Sequence, residues 1–147
     1  MKTKRVKPKY VAWLSTETMH NDSIKWLSEL RFSKDEQLFF DDLVKSYTLQ
    51  LIDSKYFTQS KDIVDQLNTI HKETDALINK VIEHEKGLKI MVDGIDQLEE
   101  ENAYKKEHGK LIITVFNFLE NYKLLKTELF SLIKGIIKGS KQKHLLE

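Results

Sequence analysis

From residue 63 to residue 98 the chain reads IVDQLNTIHKETDALINKVIEHEKGLKIMVDGIDQL. Ile63, Leu67, Ile70, Thr74, Leu77, Val81, His84, Leu88, Met91, Ile95 and Leu98 follow one another at alternating steps of four and three. Only Thr74 and His84 interrupt the apolar character of that series. A repeat of 3.5 residues keeps one stripe of a helix turned toward a neighbour, as in a coiled coil. The spacing predicts a helix over about 59–101, capped by Thr58 or Ser60, whose hydroxyl would accept an orphan backbone N–H. Gly87 and Gly94 lie inside it and would each cost roughly 0.5–1 kcal/mol against alanine. The register of the stripe runs through both, so the helix is expected to end near Asn102 rather than near Gly94.

A second stripe with the same spacing runs through Tyr104, His108, Leu111, Val115, Phe118, Tyr122, Leu125, Leu129, Leu132 and Ile136. It predicts a helix over about 103–138, closed by Gly139 and Ser140. Ile112, Phe116, Leu119, Phe130, Ile133 and Ile137 add another stripe beside it. A helix apolar over so wide an arc needs two neighbours. A third helix is expected over about 22–53, capped by Asn21, Asp22 or Ser23. Its stripe is Trp26, Leu30, Ser33, Gln37, Phe40, Val44, Tyr47 and Leu51, and Asp53 to Thr58 forms the turn that follows.

Helix breakers are scarce: the sequence has five glycines and one proline, Pro8. The fold class is therefore all-α, an elongated antiparallel three-helix bundle with coiled-coil-like seams, each helix roughly 45–60 Å long at 1.5 Å per residue. Residues 1–19 form a basic, largely irregular N-terminal segment. Residues 20–138 form a single helical-bundle domain, and 139–147 a basic C-terminal tail. The apolar run Tyr10 to Leu14 is too short for a secretory signal. Residues 111–137 are interrupted by Glu120, Lys123, Lys126, Glu128 and Lys134, so no transmembrane segment is expected. The chain has no cysteine, which excludes disulfides, thiolate zinc sites and cysteine nucleophiles and fits a cytoplasmic setting.

Chemistry has few places to sit. Glycine-rich phosphate loops, the nucleophile elbow and the H-E-x-x-H motif are all missing, so neither catalytic residues nor a cofactor is expected. A di-iron bundle needs two Glu-x-x-His pairs with inward glutamates, whereas the chain offers Glu17–His20 ahead of the first helix. His84 is flanked by Glu83 and Glu85, but adjacent helical residues point about 100° apart. Its same-face neighbours Lys80, Val81, Gly87 and Leu88 hold no ligand pair. With a turn near Asn102, His84 faces the region of residue 120, near Phe118, Glu120 and Tyr122. His108 then lies near Ile95 and Leu98, so the two histidines do not meet within one chain. His71 and Asp75, at i and i+4, read as a surface contact. His84, His108, His71 and Asp75 remain the only metal-like candidates, and no metal site is expected from them within one chain. His84 and Thr74 are expected to fix register.

The segments WLSEL (26–30), KDE (34–36), EHEKGL (83–88) and KKEHGKL (105–111) resemble a family of small uncharacterised bacterial helical proteins, with an aromatic-rich first helix and histidine–glutamate pairs near the second hairpin. The resemblance implies the helical fold and no activity. Family members carry a longer histidine run in the second helix, where this chain has Lys86 after Glu85.

The expected function is that of a non-catalytic helical interaction or scaffold protein. It would self-associate, or bind another helical protein, through apolar faces that include Ile112, Phe116, Leu119, Phe130, Ile133 and Ile137. One alternative is a metal- or small-ligand-binding bundle whose histidines are brought together by oligomer symmetry. The other is a peripheral binder of anionic membrane or nucleic acid through the basic ends, Lys2 to Lys9 and Lys134 to Lys143. The net charge of +1 and the placing of those ends at opposite ends of a three-helix rod argue against it.

Overall fold

The computed structural model describes residues 14–53, 55–93 and 98–146. The chain is all-α, four helices packed together: α1 (Thr16–Ser46), α2 (Thr48–Leu51), α3 (Phe57–Asp93) and α4 (Leu98–Leu146). Among the described residues no helix is long and apolar enough to cross a membrane.

Helix α1 begins at Thr16, not near residue 22, because Ser15 supplies the cap. Its backbone is extended and its hydroxyl accepts the Thr18 N–H at 3.1 Å. Asn21, Asp22 and Ser23 therefore lie in the second turn and are free for other work. At its far end Tyr47 leaves helical geometry, and a single further turn, α2, carries the chain to Leu51. Helix α3 stops at Asp93 rather than near Asn102, and α4 starts at Leu98. The expectations for Gly94, Ile95 and the rest of 94–97 lie outside the described residues, as do those for residues 1–13. Helix α4 does not close at Gly139 but continues to Leu146. No described glycine has a positive φ, so Gly139 makes no helix-terminating turn.

The core follows the stripes closely. Ile63, Leu67, Ile70, Thr74, Leu77, Val81, His84 and Leu88 are all buried, as are His108, Leu111, Val115, Phe118, Tyr122, Leu125, Leu129, Leu132 and Ile136. On α1 the buried set is Met19, Ser23, Trp26, Leu30, Ser33, Gln37 and Phe40. Each fully buried Leu or Phe contributes about 1.5–3 kcal/mol through area removed from water. Helix α3 packs closely on both long partners, while α1 and α4 reach each other chiefly through long side chains. Trp26 lies over His108, Phe40 meets Phe130 edge-on, and Tyr122 donates to the Ser33 carbonyl at 3.2 Å and to Glu36 at 3.0 Å. Burial, helped by Glu36, pushes the Tyr122 phenol above its ordinary value, so it stays a donor.

Two polar groups inside the core are joined to each other. Gln37 Nε2 donates to Thr74 Oγ1 at 2.8 Å, and Thr74 donates onward to the Ile70 carbonyl at 2.7 Å. A slip of α1 against α3 would leave the buried Gln37 amide N–H unpaired, at a cost of about 1–3 kcal/mol, while Thr74 would keep its bond to the Ile70 carbonyl within α3.

Candidate functional site

Both buried histidines lie toward the end of the bundle where α3 and α4 are connected, beside the first turns of α1. His84 Nε2 lies 2.8 Å from His108 Nδ1, and His108 Nε2 lies 2.9 Å from Asp22 Oδ2. The sequence expectation kept these histidines apart, and the structure corrects it. The connection falls between Asp93 and Leu98, not at Asn102, so the position facing His84 is His108 and not the region of residue 120. Tyr122, expected beside His84, instead serves Ser33 and Glu36.

Proton bookkeeping fixes the direction of this chain of bonds. The Asp22 carboxylate only accepts, so His108 donates from Nε2, and its Nδ1 is left as an acceptor. His84 must then donate from Nε2, which leaves a lone pair on its own Nδ1. That nitrogen is buried without a hydrogen-bond partner. The charged group nearest to it is Glu107, whose Oε1 stands 3.6 Å away. Burial pushes both imidazoles below their ordinary value. For His84 the neighbouring His108 adds to the depression, against Glu107 and Glu85; for His108 the Asp22 carboxylate opposes it.

Aromatic rings wall the pair in. Tyr104 stacks on His84 with centroids 4.1 Å apart and planes 4° from parallel, and its hydroxyl donates to the His84 carbonyl at 2.7 Å. Trp26 stacks on His108 at 4.9 Å. Gly87, one turn beyond His84, leaves room for the Tyr104 ring; a Cβ there would already touch it at 3.5 Å. Burial raises the Tyr104 phenol above its ordinary value, with help from Glu85 and Glu107. On the α1 side His20 Nδ1 pairs with Glu85 Oε2, while Glu85 Oε1 is buried without a partner. Glu85 was set aside on helix geometry as a partner for His84. That geometry holds, and its actual partner is a histidine on α1.

The remaining candidates separate. His71 does not pair with Asp75: His71 Nε2 meets Asp41 at 3.0 Å, and Asp75 meets Lys34 at 2.9 Å. Both contacts cross from α3 to α1, because i and i+4 on one helix compete with an opposing helix that offers a full charge. Among the described residues no group of three or more His, Asp or Glu side chains is placed to hold a metal ion. Of the α4 stripe, Ile133 is buried, Ile112 and Leu119 pack against the core from its edge, and Phe116 is half-buried. Phe130 and Ile137 stay exposed. Lys134, Lys138 and Lys141 lie exposed along the end of α4.

Sequence reasoning missed Asp22, which it used as a cap, and Glu107 and Tyr104 as neighbours of His84. The signal that could have found them was Gly94, an earlier helix breaker than Asn102: helices that end at Asp93 and start at Leu98 bring residue 108 opposite residue 84. An all-α protein with a buried histidine pair, anchored by a partly exposed aspartate and spanning three helices, is thus the class that fold and site define. The chain matches no protein-family model, no curated protein and no solved structure, so function is argued from its own surfaces and chemistry.

Proposed function

We propose that this chain is a non-catalytic helical interaction protein, an elongated antiparallel three-helix bundle that self-associates through the face shared by α1 and α4. The observation that carries this reading is an aromatic band centred on Phe40. Phe39 and Phe130 both touch the buried Phe40 ring and are themselves 58% and 48% exposed, while Phe32, two turns before Phe39, is 64% exposed. Of the other α4 stripe residues Ile137 is exposed and Phe116 half-buried, while Ile133, Ile112 and Leu119 belong to the core or its edge. Large aromatic side chains gathered in water on one face mark an interface more often than they mark ordinary surface. The bundle form is supported by contacts that run in opposition, His20 to Glu85 and Asp41 to His71, and by the facing of His84 and His108.

A catalytic reading has less to work with. The histidines are spent on each other and on Asp22, and the His84 side chain is 1% exposed, so a substrate has no path to its free nitrogen. The histidines meet within one chain, so a symmetric partner is not needed to join them.

Light scattering on a sizing column, across a concentration series, tests the proposal. A dimer or higher oligomer is expected, and Phe39→Asp or Phe130→Asp should return it to monomer with an unchanged helical circular dichroism spectrum. A chain that stays monomeric at every concentration, or variants that keep the oligomeric mass, would overturn it.

A further inference from the structure

We propose that a hollow between α3 and α4, ringed by Lys80, Lys106 and Lys110, binds a phosphate-type oxyanion, and that protonation of His84 strengthens its hold. The hollow measures about 360 Å³, and Glu107 forms part of its wall. None of the three lysines has an ion-pair partner among the described residues, a state they share with most of the described lysines, and what sets them apart is that they converge on one concavity. Three ammonium groups from two helices, left uncompensated around one concavity, attract a multiply charged anion. The single opposing charge in that wall is Glu107.

The second observation lies behind the wall. Glu107 Oε1 is the carboxylate oxygen 3.6 Å from His84 Nδ1, the buried nitrogen without a hydrogen-bond partner. While His84 is neutral, the Glu107 charge stands unneutralised in the wall and repels an incoming anion. When His84 takes a proton, that proton must sit on Nδ1, since Nε2 already donates to His108. The new N–H then faces Glu107, and the ion pair neutralises the one carboxylate that repels an anion from the hollow.

His84 is also faced by His108 and Tyr104 from α4, and by Glu85 from its own helix. Asp22 and His20 on α1 reach it only through His108 and Glu85. None of these lines the hollow, so Glu107 is the one link between the buried proton and the anion. By reciprocity, anion binding draws a proton onto His84.

A larger hollow of about 640 Å³ adjoins the first, sharing Lys80 and Thr114, and is lined by Leu77 and Phe118 together with the carboxylates Glu73 and Glu83. The oxyanion is therefore either free or the head of an ester whose apolar body lies there. Neither hollow shares a residue with the aromatic band, so this inference stands or falls apart from self-association.

The test is a titration of backbone amide shifts with sulfate, at ionic strength held constant with chloride, at about pH 7.5, where His84 is neutral, and at about pH 5, below the ordinary histidine value, where its protonated fraction is larger. Sulfate keeps its double charge throughout, so any change comes from the protein. Wild type is expected to bind about tenfold tighter at the lower pH. The double variant Lys106→Gln/Lys110→Gln should lose binding at both. Glu107→Gln should bind about tenfold tighter than wild type at about pH 7.5, a comparison that does not depend on acid stability. Phenyl phosphate at about pH 7.5 separates the sources: tighter binding than sulfate assigns the ester, equal binding the free ion. No sulfate binding, or wild-type affinity in the double lysine variant, overturns the site. Glu107→Gln binding no tighter than wild type at about pH 7.5 overturns the gating.

Discussion

His84 and His108 enter the folded state as neutral rings, and this makes stability depend on pH. Burial holds both below the ordinary histidine value, near 6.5 in unfolded chains. Below about pH 6.5 the unfolded chain therefore binds more protons than the native one, and stability rises with pH through that window. The contribution is full above about pH 6.5 and is lost as pH falls toward the depressed native values. Thermal melts should give a lower Tm at about pH 5 than at about pH 7.5, and His84→Leu should flatten that slope. An equal slope in the variant would place the titrating group elsewhere. His84 was legible as a buried stripe residue. Its bond to His108 was not, because a 3.5-residue repeat says which face a residue occupies and nothing about what faces it.

The same limit appears among the helices. The stripes located the buried faces of α1, α3 and α4 almost residue by residue, since burial of apolar area sets those faces and periodicity reports it directly. The ends were less legible. The Ser15 cap lay ahead of the apolar stripe, where no periodicity flagged it, and Gly139 read as a stop although α4 runs on past it. The α3–α4 connection mattered most, because every residue by which a turn moves shifts the facing position by two. Glycines inside these helices carry a propensity cost without a packing reason at every site. A Cβ at Gly135 would meet nothing within 4 Å, so Gly135→Ala should stabilise the protein by about 0.5–1 kcal/mol in urea unfolding. At Gly87 the added methyl would rest on Tyr104, so Gly87→Leu should push that ring off His84 and destabilise the fold by the same assay.

At the scale of the whole molecule one core joins all the helices, and Phe40 is central to it, 2% exposed and touched by Phe39, Tyr122 and Phe130. Phe40→Ala should cost about 3–5 kcal/mol in guanidinium unfolding, and it should also loosen the aromatic band laid over it. Phe39→Asp, on the exposed side of the same ring, should change assembly with little change in stability. The divergence of those two neighbours separates a core role from an interface role within one turn of helix. Asp22, His108 and His84 carry a constraint of another kind. Each comes from a different long helix and each satisfies the next, so losing any one strands a buried donor or acceptor on the others. Sequence change at this end of the bundle is therefore bound to move in concert. In a library randomised at these three positions and selected for folding, the survivors should hold the aspartate and both histidines together, or replace all three with apolar residues together, and mixed combinations should be depleted.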